Sequence, residues 1–338
     1  MKFSDVFEDQ TKYGTKIKTD EYKEKGKHAI VDQGKKLIAG YTDLEDGLYN
    51  NVPAIIFGDH TRVIKYIDVP FFLGADGTKI LKCKVENANY KYLYYALTRE
   101  KIPDTGYNRH FKWLKEIDIK YPSVDKQDNI VKKLDKLSSI IQKRQQQLDK
   151  LDELVKARFV EMFGDPKYNK SNLVKIGEIG ALTSGGTPSR AKPEYFEGNI
   201  RWYSAGELNS LYLPDSVEHI SEMALQQSSA KLFNMGTLMI GMYDTAAFKM
   251  GILTEDSSSN QACANLNPKQ GYNIVWLYYL FDIMKPIFLQ ERQGVRQKNL
   301  SLSKIKEFEV PFAPFELQEQ FATFVEQTDK SKLIIKYI

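Results

Sequence analysis

The chain is poor in cysteine and histidine: of its 338 residues, two are cysteine and four are histidine. Cys83 and Cys263 are far apart with no CxxC spacing, which excludes a zinc ribbon or a disulfide framework. His28, His60, His110 and His219 are scattered without ligand spacing, and no HExxH occurs, so no metal site is expected. Long apolar runs are also missing. Nothing approaches the ~20 residues of a membrane span, and the opening "MKFSDVFEDQ" has no signal-peptide core. A cytoplasmic chain without membrane association is expected. Neither sign of charge dominates: the net charge is +4, which mildly favours a polyanionic partner without selecting one.

The stretch "SGGTPSR", Ser184 to Arg190, suggests a phosphate loop but lacks the GK[ST] that such a loop needs. Pro188 and Pro193 would break the helical turn whose amides hold a phosphate. It reads as a loop of another kind. In "FGDHTR", Asp59 and His60 are neighbours on an extended segment and would point to opposite faces, so they suit a binding loop better than a catalytic pair.

What the sequence does have is a repeat of itself. "LKEIDIKYPSVDKQDNIVKKLDKLS" from Leu114 aligns without a gap on "IKEFEVPFAPFELQEQFATFVEQTD" from Ile305. Lys115 and Lys306, Glu116 and Glu307, and Gln127 and Gln318 are identical. "YLYYAL" from Tyr92 matches "WLYYLF" from Trp276. A repeat this long means two similar modules in tandem rather than a solenoid of small units. Each module reads as a globular part, a short extended segment, a proline-containing turn and then a helix. "VPAIIFG", "TLMIGMYD" and "FEVPFAPF" look like strands, and "YKYLYYALTRE" and "NIVWLYYLFDIM" like amphipathic helices. Strand and helix do not alternate cleanly, which favours α+β over a doubly wound sheet. The tyrosine-rich helices recur at matching places and suit a shared core, and Trp202 also reads as core.

From Lys126 to Met162 there is no glycine or proline. Leu134, Ile141, Leu148 and Val155 fall seven residues apart, with Leu137 and Leu151 between them, giving a coiled-coil seam interrupted by Arg144 and Arg158. At about 1.5 Å per residue the helix would be roughly 50–55 Å long. The second helix, with Phe321 and Val325 on one face, is expected to cover only part of its partner. The bare remainder of the seam would invite a partner, a second copy of the chain among the candidates. The expected boundaries are 1–125 for the first domain, 126–163 for the long helix, 164–315 for the second domain and 316–338 for the short helix.

Three stretches carry a family resemblance: "TSGGTPSR..PEYFEGNIRWYSAGEL", "SSSNQACANLNP" and "GVRQKNLSLSKIKEFEVPFAPFELQ". They resemble a target-recognition domain of type I restriction–modification specificity subunits. "KEKGKHAIVDQG", "PAIIFGDHTRVIKYIDVPFFLGADGTKIL" and "GYNRHFKWLKEIDIKYP" resemble another variety of that domain. The resemblance implies two recognition domains, each reading half of a split target in double-stranded DNA, and two helices paired as an antiparallel rod. It also implies docking of two modification (methyltransferase) subunits, with a restriction (motor–nuclease) subunit joining them. S-adenosylmethionine chemistry would belong to the modification subunits, and this chain would bind no cofactor and catalyse nothing. In keeping with that, the sequence has no Gly-rich cofactor loop after a strand, no Asn-Pro-Pro-Tyr and no convincing Asp…Glu-x-Lys constellation.

Reading DNA requires donors and acceptors that reach base edges, and cations that hold phosphates. The first module offers Lys16, Lys18, Lys27 and His28, then His60, Thr61 and Arg62, then Tyr107, Arg109, His110 and Lys112. The second offers Thr187, Ser189, Arg190 and Lys192, and the donor-rich "ERQGVRQKN" with Arg292, Arg296, Gln297, Lys298 and Asn299. Two other readings remain open: a recognition part of a fused restriction–methyltransferase, or a coiled-coil interaction protein that does not bind DNA.

Overall fold

The computed structural model describes residues 1–74, 76–292 and 299–337. The chain divides into two compact units, Met1–Gln142 and Lys143–Ile338.

In the first unit, α1 (Phe3–Val6) leads into β1 (Phe7–Asp9). Then come β2 (His28–Val31), β3 (Gly40–Thr42), β4 (Ala54–Gly58), β5 (Ile64–Ile67), β6 (Phe71–Leu73) and β7 (Thr78–Cys83). The helices α2 (Tyr90–Thr98) and α3 (Phe111–Leu114) follow, and α4 (Val124–Phe163) begins in this unit and ends in the second. An antiparallel sheet runs in the order β1-β7-β4-β5, and a second, mixed sheet in the order β3-β2-β6. β4 explains why both form. Its residues AIIFG are all buried, because alternate side chains serve opposite faces. Ile55 and Phe57 join Leu93, Leu97 and Phe111 in one core, while Ala54 and Ile56 join Phe71, Leu73 and Ile80 in another.

The second unit continues with β8 (Leu173–Lys175), α5 (Ile176–Ile179), β9 (Gly180–Ser184), β10 (Ile200–Tyr203), β11 (Asn209–Tyr212) and β12 (Glu218–Ile220). After α6 (Glu222–Gln227) come β13 (Leu238–Gly241), β14 (Met250–Ile252), β15 (Ser258–Ser259) and β16 (Cys263–Pro268). It closes with α7 (Ile274–Phe288), α8 (Leu302–Glu307), β17 (Glu309–Pro311) and α9 (Phe315–Tyr337). The main sheet has the order β11-β14-β13-β16-β9, beside a three-stranded sheet β12-β10-β15 and the pair β17-β8. The architecture is α+β in both units. The long helix spans Val124–Phe163.

The internal repeat has a structural basis that its identities only hinted at. Asn89 caps α2 by accepting from the Tyr92 amide, and Asn273 caps α7 by accepting from the Val275 and Trp276 amides. The amides of Asn89 and Asn273 donate in turn to the side-chain oxygens of Gln127 (3.1 Å) and Gln318 (2.8 Å). Each glutamine then donates to the carbonyl at the matching turn, Pro122 at 2.9 Å and Ala313 at 2.7 Å. Both glutamines are wholly buried. An interior amide needs its partners, so this pair ties each module's short helix to the start of its long one.

The seam is buried in one part and open in another. Val155 and Phe159 are fully buried against Trp276, Phe321 and Val325 within the second unit. Phe159 meets Phe321 edge-on at 5.2 Å, and Lys332 of α9 pairs with Asp152 of α4 at 2.7 Å, so the two helices run antiparallel here. Leu148 and Leu151 are half-buried, and Leu134 is also half-buried. Leu137 and Ile141 are 55% and 68% exposed.

Candidate nucleic-acid interface

In the first unit, two loops are locked together through Asp59. Its carboxylate accepts from the Phe111 amide at 2.7 Å, and its carbonyl accepts from the His110 amide at 2.7 Å. The His110 ring sits 3.0 Å from the same carbonyl and is fully buried. His110 therefore cannot reach a base edge as expected from the sequence; it positions the loop instead. Gln33, which the sequence did not single out, ties the loops further. Its side chain accepts from the His60 amide and donates to the Asp76 carbonyl, while its own carbonyl accepts from Thr61 Oγ1 at 2.6 Å.

On this base stands a stacked aromatic pair. The ring of Tyr107, 88% exposed, lies parallel to His60 at 4.7 Å. The Tyr107 ring thus stands in solvent on a fixed platform rather than in the core. Arg109 and Lys112 flank it and are exposed, and the Lys112 ammonium lies over Trp113. Other cations are already paired: Arg62 with Asp104 at 2.6 Å, Lys16 with Asp76, and Lys27 with Glu45 at 2.7 Å. His28 shares Glu45 at 3.2 Å. The hydrogen bond from the Gly106 amide, then the pairing with Arg62, holds the Asp104 carboxyl below its ordinary range. Such exposed pairs are held weakly, since water screens both charges. Lys18 is exposed.

In the second unit the glycine pair of "SGGTPSR" serves packing. A Cβ on Gly186 would lie 2.0 Å from the Ser229 carbonyl, and one on Gly185 would lie 2.3 Å from that of Ser259. Trp202, buried as expected, donates to the Gly186 carbonyl at 3.0 Å. The loop is thereby pinned to β10 and β15, with Thr187 hydrogen-bonded to Gln261 and Ser189 exposed. Arg190 is committed elsewhere. It pairs through both terminal nitrogens with Glu218, and its guanidinium lies 4.2 Å from the Phe196 ring and 5.3 Å from that of Trp202. The hydrogen bond from Arg190 holds the Glu218 carboxyl below its usual range. The fork of Arg190 is thus engaged by one carboxylate while its face rests on two rings. Lys192 rests on Tyr195, donating to its hydroxyl at 2.9 Å.

Arg296, Gln297 and Lys298 lie outside the described residues. Of their neighbours, Arg292 donates to the Leu289 carbonyl, and Asn299 accepts from the Asp244 amide. Asn299 also lines a cleft of about 420 Å³ with Ser184, Tyr243, Gln261 and Lys304. Among the described residues no cluster of three or more potential metal ligands occurs, and no helix is long and apolar enough to cross a membrane.

Two α+β units, each with the same asparagine–glutamine capping network at the start of its long helix, define a tandem repeat of one domain type. Comparison with known proteins agrees. The family model "Type I restriction modification DNA specificity domain" matches residues 1–152 and again 168–337, so the chain belongs to that family. The chain is 24% identical over 348 residues to the EcoR124I/EcoR124II type I restriction enzyme specificity subunit of Escherichia coli, covering 96% of this chain and 84% of that one. It is 28% identical over 185 residues to the MjaIX specificity subunit of Methanocaldococcus jannaschii, covering 52% of this chain and 43% of the relative. The crystal structure of a type I restriction–modification S subunit from M. genitalium superposes with a TM-score of 0.58 at 16% identity, over 99% of this chain and 90% of the other. That likeness supports the fold.

Proposed function

We propose that this chain is the DNA sequence-recognition subunit of a type I restriction–modification complex, with each unit reading one half of a split, asymmetric target. The chain itself does no chemistry. Modification subunits dock on its helices and carry the S-adenosylmethionine-dependent methylation, and a restriction subunit joins them for cleavage. The observation that carries this reading is the duplicated architecture: a specificity-domain match over each unit, and a loop in each that is held by buried hydrogen bonds and carries exposed polar side chains. In the first unit Arg109 and Lys112 would hold phosphates, while Tyr107 and His60 would meet the groove floor. In the second, Thr187, Ser189 and the 292–299 segment would do the same.

The reading is tested by changing Tyr107 and Lys112 to alanine and measuring binding of the complex to duplexes scrambled in one half or the other. The expected outcome is weaker binding that no longer depends on the sequence of one half-site, with discrimination at the other intact. Equal loss at both halves would count against a modular reader. Binding also has to fall steeply with salt, because phosphate contacts release counterions. A flat salt response would favour a coiled-coil interaction protein that does not bind DNA.

A further inference from the structure

β5 carries a lysine where its pattern calls for an apolar residue. Lys65 and Ile67 form the buried side of the strand, and the Lys65 side chain is only 3% exposed. Lysine is almost never fully buried unless it is paired. Burial pushes this ammonium below its ordinary range, with Asp32 opposing the shift. The partner lies at the foot of the loop between β2 and β3. Lys65 Nζ donates to the Asp32 carbonyl at 2.7 Å and stands 3.5 Å from the Asp32 carboxylate, which also accepts from the Gly34 amide at 2.8 Å. Desolvation offsets much of the attraction in such a pair, so stability is a weak reason for it.

The next residue in that loop is Gln33, and it is fitted closely. A Cβ added to Gly58 would lie 2.9 Å from Gln33 Cβ, and one added to Gly77 would lie 3.1 Å from both atoms of the Gln33 side-chain amide. From this slot Gln33 bonds to the His60 amide, the Thr61 hydroxyl and the Asp76 carbonyl, so it holds the turn on which the Tyr107 ring stacks. Arg62 in the same turn has a φ of 61°, a left-handed conformation that a non-glycine residue keeps only where its surroundings dictate it.

We infer, on the reading of the first unit as a DNA reader, that Lys65 and Gln33 are positioning residues for recognition of one half-site. Lys65 acts from the core: its ammonium fixes Asp32 and with it Gln33. Gln33 then sets where the His60–Tyr107 stack stands, joining the loop after β2 to the turn after β4 and the segment before β7.

The test uses the full chain co-purified with its modification subunit, and a duplex which that complex selects from a randomised library. Lys65→Met keeps the apolar stem and removes the ammonium, and Gln33→Ala removes the side-chain amide. Circular dichroism shows whether each variant is folded, and the half-buried Gln33→Ala decides the matter should Lys65→Met not fold. Preference for the intact duplex over one scrambled in one half is expected to fall at least about tenfold, the worth of reading one base pair. The affected half should be the same in both variants and in Tyr107→Ala, with preference at the other half and affinity for a fully scrambled duplex unchanged. Folded variants that keep full preference at both halves would overturn the inference, as would equal loss at both. A wild-type complex without half-site preference would instead refute the DNA reading itself, which separates the two failures.

Discussion

Shortening Phe159 to alanine tests whether α4 is held by its second-unit end. The ring is fully buried and touches Trp276, Phe321 and Phe163, the contact with Phe321 being edge-on at 90°. Removing a buried phenylalanine side chain costs about 3–5 kcal/mol. Each well-oriented aromatic pair adds about 0.5–1.5 kcal/mol beyond burial, so the upper part of that range is expected. For a unit of this size it corresponds to a fall in Tm of roughly 8–20 °C. Ile141, on the same seam but 68% exposed, should cost no more than about 0.5 kcal/mol when changed to alanine. Thermal unfolding by circular dichroism and calorimetry reads both variants. If Ile141→Ala cost as much as Phe159→Ala, the seam would be buried along its whole length in solution and the description of α4 would be wrong. If Phe159→Ala left the Tm unchanged, the aromatic cluster would not be what fixes the helix.

Two further predictions concern the loop platforms. Asp59→Ala removes the acceptor of the Phe111 amide in a buried place, which should cost about 1–3 kcal/mol. It should also loosen the Tyr107 loop and weaken recognition of one half-site, as measured by denaturant unfolding and by binding to half-scrambled duplexes. At acid pH, Glu218 should contribute through Arg190. Its carboxyl titrates below the ordinary 4.5, so the stabilisation is fully present above that value and lost as the pH falls through the folded-state pKa. The pair is about half exposed, which limits the effect to under about 1 kcal/mol. Glu218→Gln should flatten the acid limb of the stability–pH curve, and an unchanged limb would show that the pair contributes nothing.

Much of the architecture was legible in the sequence because it rests on patterns local in the chain. The heptad spacing and lack of breakers marked α4. The run VPAIIFG marked a strand, and the aligned segments from Leu114 and Ile305 marked two modules. The identity of Gln127 and Gln318 was visible, but their role was not. It depends on amides, at Asn89 and Asn273, that only the folded chain brings near. The candidate interface was less legible for the same reason. Composition picks out cations without saying which ones an acid distant in sequence has already taken. Arg190 gave no sign of its pairing with Glu218 beside Phe196 and Trp202, nor His110 of its burial against Asp59. Gly185 and Gly186 suggested a phosphate loop, and their reason proved to be close backbone approach. Gln33 gave no signal, since its three hydrogen bonds reach 27 or more residues away.

The most direct test of the central claim is selection from a randomised duplex library by the chain co-purified with its modification subunit, followed by sequencing of the bound DNA. The account predicts two short fixed half-sites separated by a spacer of constant length and arbitrary sequence, with only one half losing its pattern when Tyr107 and Lys112 become alanine. A single contiguous site, or no enrichment by an intact complex, would contradict it.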